Sequence, residues 1–333
     1  MFSFIVSLNL TLLLNQLDFC RNNEIDHFFF SEFHLVAFQD LQQFRFIFFG
    51  TILMLYLVTL TGNLIIIYLV STSPRLKSPM YFFLSQLSLC DILLTTNIVP
   101  NLLNNVLTTR DTISVDSCLT QFYFFGVSIV TECLLLTVMS FDRYMAICNP
   151  LHYHSIMNFK LCLHLVLWPW IISFVLSLNI TLLLKQIHFC SNNVIDHFFC
   201  DFAPLVELSC SDTSLVEMED LVICLIISFF PFAFIVLTYT QIVFAIIKIP
   251  STSGRHKAFS TCSSHLTVVS MYYGTIIAIY VSPSRGSLKD MTKLLSLIYT
   301  VMTPLFNPVI YSLRNQEIRD ALGKIIKPRL KGC

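Results

Sequence analysis

The chain alternates between long apolar runs and short polar turns. Seven apolar runs stand out, at approximately 46–70, 79–103, 119–141, 161–184, 221–247, 258–281 and 291–311. As helices rising about 1.5 Å per residue, they are long enough to cross a hydrocarbon core of about 30 Å. An odd number of crossings puts the termini on opposite sides. The alternate loops and the tail carry Arg75, Lys77, Arg143, Lys160, Lys248, Arg255 and Lys257, then Arg314, Arg319, Lys324, Lys327, Arg329 and Lys331. These 13 of the 20 basic residues mark the cytoplasmic face, so the N-terminus is expected outside and the C-terminus inside. The pattern predicts an all-α membrane protein, a bundle of seven spanning helices.

The third run sets the depth scale. From Cys118 to Arg143 is about 37 Å of helix, so Cys118 belongs at the outer face and Arg143 at the inner one. Two acids interrupt the apolar pattern: Asp91 lies about 18 Å above the inner start of the second run, and Glu132 about 16 Å above Arg143. Acids at mid-membrane are costly and mark function. Two carboxylates at one depth cannot both stay ionised unless a cation or a proton lies between them. Both readings are carried forward: a small hard cation, sodium, or a protonated pair, with Ser128, Asn63 and Asn307 as candidate further partners. Asn63 itself, near the middle of the first run, needs a partner on another helix. Ser78-Pro79 is a good helix start, and Pro100, Pro169, Pro231, Pro304 and Pro308 permit kinks in spans two, four, five and seven.

Composition agrees with the membrane reading: 55% of residues are hydrophobic, 12% are charged and mean hydropathy is +0.74. The formal net charge is zero, and nothing suggests nucleic-acid binding. The twelve cysteines show no metal-binding spacing. Cys118, Cys190, Cys200 and Cys210 all fall outside, where disulfides persist; four cysteines allow three pairings, and their spacing does not choose among them. Residues 3–29 repeat residues 173–199 with 19 of 27 positions identical. The second copy makes topological sense as the end of span four and an outer loop. The first has Phe30 where Cys200 should stand, so residues 1–30 read as a partial duplication or a gene-model join, outside the core fold. Residues 31–45 then form an outer arm, 46–312 the spanning domain and 313–333 the cytoplasmic tail. Asn9-Leu10-Thr11 is a glycosylation sequon on the outer side.

On span three, Phe122, Phe125, Gly126, Ile129 and Val130 share one face above Glu132, a candidate wall for a ligand pocket. No acid lies above Glu132 on this span to pair with an amine. Span seven has Lys293 only near its outer end and no mid-membrane lysine to hold a retinal Schiff base.

Several motifs occur in order at the expected helix ends: Pro79-Met80-Tyr81-Phe82-Phe83-Leu84, Met139-Ser140-Phe141-Asp142-Arg143-Tyr144-Met145-Ala146-Ile147-Cys148, Lys257-Ala258-Phe259-Ser260-Thr261-Cys262-Ser263-Ser264-His265, and Pro304-Leu305-Phe306-Asn307-Pro308-Val309-Ile310-Tyr311-Ser312-Leu313-Arg314-Asn315. With seven spans they resemble a rhodopsin-like G-protein-coupled receptor, and more specifically a vertebrate odorant receptor, over about residues 31–328. Ser140-Phe141 departs from the Ala-Tyr or Ala-Phe usual before Asp-Arg-Tyr in that family. The resemblance implies disulfides Cys118–Cys200 and Cys190–Cys210, a short amphipathic helix after span seven, and a pocket completed by Phe202, Ile223, Ile227, Tyr273, Ile277 and Tyr280. It implies a small, neutral, mostly hydrophobic odorant and no cofactor; the acid pair adds only the allosteric sodium ion expected above. The expected partners are membrane lipid and a heterotrimeric G protein of the cAMP-raising olfactory type, engaged from the plasma membrane of sensory cilia. Asp142, Arg143 and Tyr144, with Tyr239, Asn307, Pro308 and Tyr311, would form the activation switch.

Other classes fit less well. A transporter or ion-conducting protein could use Asp91 and Glu132 as an intramembrane ion site, but a transporter predicts symmetry between halves of the bundle and a channel predicts a filter loop or charged ring. The sequence offers neither, and no triad suggests an enzyme.

Overall fold

The computed structural model describes residues 31–36, 43–108, 112–189, 193–281 and 289–326. The first copy of the repeat, with Asn9, lies outside the described residues. Among the described residues, seven helices are long and apolar enough to cross a membrane. Spans one to six are Arg45–Thr72, Pro79–Thr108, Val115–Cys148, Phe159–Lys185, Ser214–Ile247 and Thr252–Val281. Span seven runs from Lys289–Leu297 through a π-helical turn, Ile298–Met302, to Thr303–Arg314. The expected bundle is present, with helices reaching past the apolar runs at several ends. Hydrophobicity locates the membrane-embedded part of a helix, whereas caps locate its ends: Ser114 accepts from the Ser117 N–H at the head of span three, and Asn158 accepts from Leu161 at the head of span four.

Polar groups of the spans point inward, while apolar groups both fill the core and cover the outer surface, unlike a water-soluble domain. Asn63, Asp91, Glu132, Asp142 and Asn307 are buried, while Phe229, Phe230 and Leu237 of span five are exposed. Lipid satisfies the outer surface, and only another helix can satisfy a polar side chain in the interior. Asn63 meets that requirement by donating to the Pro304 carbonyl of span seven at 3.1 Å. Gly62 touches the same helix: a Cβ there would lie 3.1 Å from the Pro308 ring. Beyond span seven, Gln316–Ile326 forms the amphipathic tail helix with Ile318 buried. Tyr81 of span two donates to Glu317 at 2.8 Å and ties that helix to the bundle.

The outer face adds what an all-helical expectation lacks, a small three-stranded sheet in the order β2-β1-β3. The strands are β1 (Glu32–Leu35), β2 (Thr112–Ser114) and β3 (Val194–Ile195), with β1 antiparallel to β2 and parallel to β3. Glu-Phe-His-Leu alternates, so Phe33 and Leu35 turn inward onto a second apolar cluster with Cys118, Phe122 and Leu184. The Cys118–Cys200 disulfide, with Cα atoms 5.5 Å apart, pins the loop after span four to the head of span three. Cys210 is also disulfide-bonded; its expected partner, Cys190, lies outside the described residues.

Candidate functional site

Span three carries three stations in line. At the outer station, Phe122 packs in the cluster under the sheet, with Phe202 and Ile223 against it. Phe125 belongs to the main core, and its ring lies 4.8 Å from that of Phe199. Ile129 and Ile227 pack against that core, to which the buried Tyr273 belongs. Val130 is half-buried. Gly126 instead faces span four: a Cβ there would lie 2.9 Å from Ser177 Oγ, so the missing side chain serves a close helix contact. Ile277 is 53% exposed towards the lipid side. The Tyr280 side chain lies outside the described residues. Cys133, absent from the expected set, lies one turn below Ile129 and joins three helices: its thiol donates to the Ile227 carbonyl at 3.0 Å and lies 3.2 Å from the Tyr273 hydroxyl.

The loop above this station is sealed against the bundle. Gln121 accepts from the Cys200 N–H at 3.0 Å and donates to the Asn97 carbonyl at 3.1 Å. Asp201 caps the short helix Phe202–Glu207 by accepting from the Phe202 N–H at 2.8 Å, and burial raises its pKa. His197 is 3% exposed and stacks on Phe198. Burial, and then the nearby Lys293 charge, hold its pKa down at about 3. Lys293 itself pairs with Asp196 at 2.5 Å, tying the outer end of span seven to the loop.

At the middle station, Asp91 and Glu132 are each 1% exposed. Asn307 donates to both Asp91 oxygens at 3.0 Å and lies close enough to Glu132 to interact with it. Tyr299, on the π-helical turn, donates to Glu132 Oε2 at 3.5 Å, while Oε1 is buried without a partner. Such a turn rotates the residues before and after it relative to each other, and it recurs at functional positions. Asn63 Nδ2 is engaged by the Thr59 and Pro304 carbonyls, while its Oδ1 is buried without a partner. The Ser128 hydroxyl donates to Phe124 of its own helix at 2.9 Å. Among the described residues no group of three or more His, Cys, Asp and Glu side chains gathers as a metal site.

At the inner station, Arg143 is held by its neighbour Asp142, through Nε at 3.0 Å and through a closer contact from Nη2. The other Asp142 oxygen accepts from Tyr153 at 2.7 Å. Tyr144 is half-buried against the core. Tyr239 of span five meets His265 Nδ1 of span six at 2.6 Å, and His265 Nε2 lies 3.2 Å from the Leu136 carbonyl of span three. Tyr311 is fully buried with no partner for its hydroxyl, and Pro308 lies within span seven. Sequence reasoning missed Tyr153, Tyr299 and Cys133. His265 stands in the Lys257–His265 motif, but the sequence pattern carries no sign of its bond to Tyr239.

The comparisons with known proteins point to one family. A family profile described as "Olfactory receptor" matches residues 52–329. The chain is similar to Olfactory receptor 1M1 of Mus musculus, 44% identical over 300 residues, covering 90% of this chain and 96% of that protein. It is also similar to Olfactory receptor 11A1 of Homo sapiens, 44% identical over 89% of this chain and 94% of that protein. Olfactory receptor 1468 of Rattus norvegicus is 42% identical over 91% of this chain and 97% of that protein.

Proposed function

The chain belongs to the olfactory receptor family, multi-pass plasma-membrane receptors and not enzymes, and from that premise we propose that it binds a small, neutral, mostly hydrophobic odorant along span three and activates a cAMP-raising G protein. The observation that carries the reading is the alignment of the three stations on one helix. Phe122, Phe125, Ile129, Val130, Ile227 and Tyr273 offer an apolar wall, and the Cys133 and Tyr273 polar atoms are already satisfied by each other. Such a lining favours a ligand with few polar groups. A ligand that binds better when the inner ends of spans five and six move outward shifts the population to that state. That shift breaks the Tyr239–His265 contact and frees Arg143 from Asp142, with Tyr239 and Tyr311 as its new neighbours. The test is odorant-dependent cAMP accumulation in cells carrying an olfactory-type G protein. Wild type is expected to respond and Arg143→Ala to lose the response at equal surface level. Ligand-driven ion current without G protein would overturn the receptor mechanism in favour of an ion-conducting protein.

At the middle station, Asp91 and Glu132 would hold sodium. Their donor set fits a hard cation: carboxylate oxygens, an amide beside them and an orphaned Glu132 Oε1. A bound ion would neutralise the pair and favour the resting arrangement. Asp91→Asn and Glu132→Gln are each expected to change the sodium dependence of basal cAMP. An unchanged sodium response in both variants would leave the protonated pair as the reading.

A further inference from the structure

Spans five and six part on the side of the bundle to leave a cavity of about 620 Å³. It is not beneath the outer loop. Its lining includes Phe232, Val243, Phe244 and Leu266, all exposed, with the buried Tyr239 and Tyr273 at its back. Both helices cross the membrane, so the fluid at this opening is lipid hydrocarbon, where apolar molecules concentrate.

Two observations connect the cavity to the odorant wall. Tyr273 belongs to both: its ring lies 4.8 Å from Phe232 in the cavity wall, and its hydroxyl lies 3.2 Å from Cys133 Sγ on span three. Tyr273 therefore lies between the cavity and span three. Gly274, in the cavity lining, has open space where a side chain would stand, with nothing within 4 Å of its Cβ position. On the outer side, Phe198, Phe199 and Cys200 of the loop after span four are fully buried.

We infer that this cavity is a lateral vestibule, which takes a small apolar ligand from the bilayer and passes it to the pocket past the Phe232–Tyr273 pair. The inference rests on the odorant pocket proposed above, and its continuity with that pocket singles out the odorant as occupant. A phospholipid tail seated in the same groove is the competing outcome.

The probe is a ten-carbon aliphatic alcohol carrying a diazirine, added to the purified full chain in phosphatidylcholine nanodiscs. Crosslinks are mapped by mass spectrometry with and without excess 1-decanol. Labels that decanol displaces are expected on Val243 or Leu266 and on Tyr273. Gly274→Leu should fill the cavity and lower both several-fold, and Phe232→Ala should speed labelling at Tyr273. Ser270→Leu, in the same lining, serves if Gly274→Leu does not reach the membrane. Labelling of Tyr273 at the wild-type rate in the filled variants would overturn the lateral route and leave the pocket standing. Groove labels that decanol does not displace would make the cavity a lipid-tail seat and also overturn it. Absence of displaceable label from both Tyr273 and the span three face would instead overturn the pocket itself.

Discussion

The two ends of span three are built differently. The outer end is fixed by a covalent bond, Cys118–Cys200, and by Gln121, whose side chain and backbone together join the loop and span two. The inner end is held by exchangeable polar contacts: Arg143 to Asp142, Asp142 to Tyr153, and His265 between Tyr239 and the Leu136 carbonyl. A disulfide has one bonding partner, whereas a hydrogen bond can be traded for another of similar strength. On the proposed mechanism, ligand energy delivered near the fixed end would be expressed as movement at the other.

The largest test of this contrast is removal of the covalent tie. Cys118→Ala is expected to remove stabilisation of about 2–5 kcal/mol and to abolish surface display, measured as antibody staining of intact against permeabilised cells. Normal display would mean that the sheet and Gln121 suffice to hold the outer end. At the inner end the sign reverses: Asp142→Asn should leave display intact and raise basal cAMP, because it weakens the restraint on Arg143. Tyr153→Phe should do the same more mildly, since one hydrogen bond contributes about 1 kcal/mol, a few-fold in population. Basal signalling unchanged in both would show that these contacts do not hold the resting state.

The smallest expected effect sharpens the outer half. His197 is held neutral, with its pKa about 3 in the folded loop against about 6.5 in an unfolded chain. Below about 6.5 the unfolded state binds the extra proton and the folded state does not, so this contribution to stability is complete above that pH and is lost as pH falls towards about 3. Melting temperature of the purified receptor should drop between pH 7 and pH 5, and His197→Phe should flatten the slope. The group facing this ring with like charge is Lys293, and Asp196 opposes it. An equally steep slope in the variant would assign the pH dependence to other groups.

Much of this was legible in the chain. Seven apolar runs and alternating basic loops fix the spans and their direction, because a membrane helix satisfies its backbone within its own segment and reads out locally. Helical rise alone put Asp91 and Glu132 at one depth, and both are buried with Asn307 beside them. The alternation at Glu32–Leu35 carried a strand signal too, but its partners Thr112–Ser114 and Val194–Ile195 are short and far away in sequence.

What the sequence by itself determined is depth; what only the tertiary structure decided is azimuth, the direction in which each helix faces. Gly126 shares the Phe122–Phe125 stripe by periodicity yet meets Ser177 of span four. Asn63 sits at a depth suited to the acid pair yet bonds Pro304, 241 residues away. Tyr299 reaches Glu132 from a π-helical turn, and Tyr153 reaches Asp142 from the short helix Pro150–Ile156. Rise per residue is a property of one chain segment and follows from backbone geometry. Rotation about the helix axis is set by side chains interlocking between helices, and no single segment contains that information.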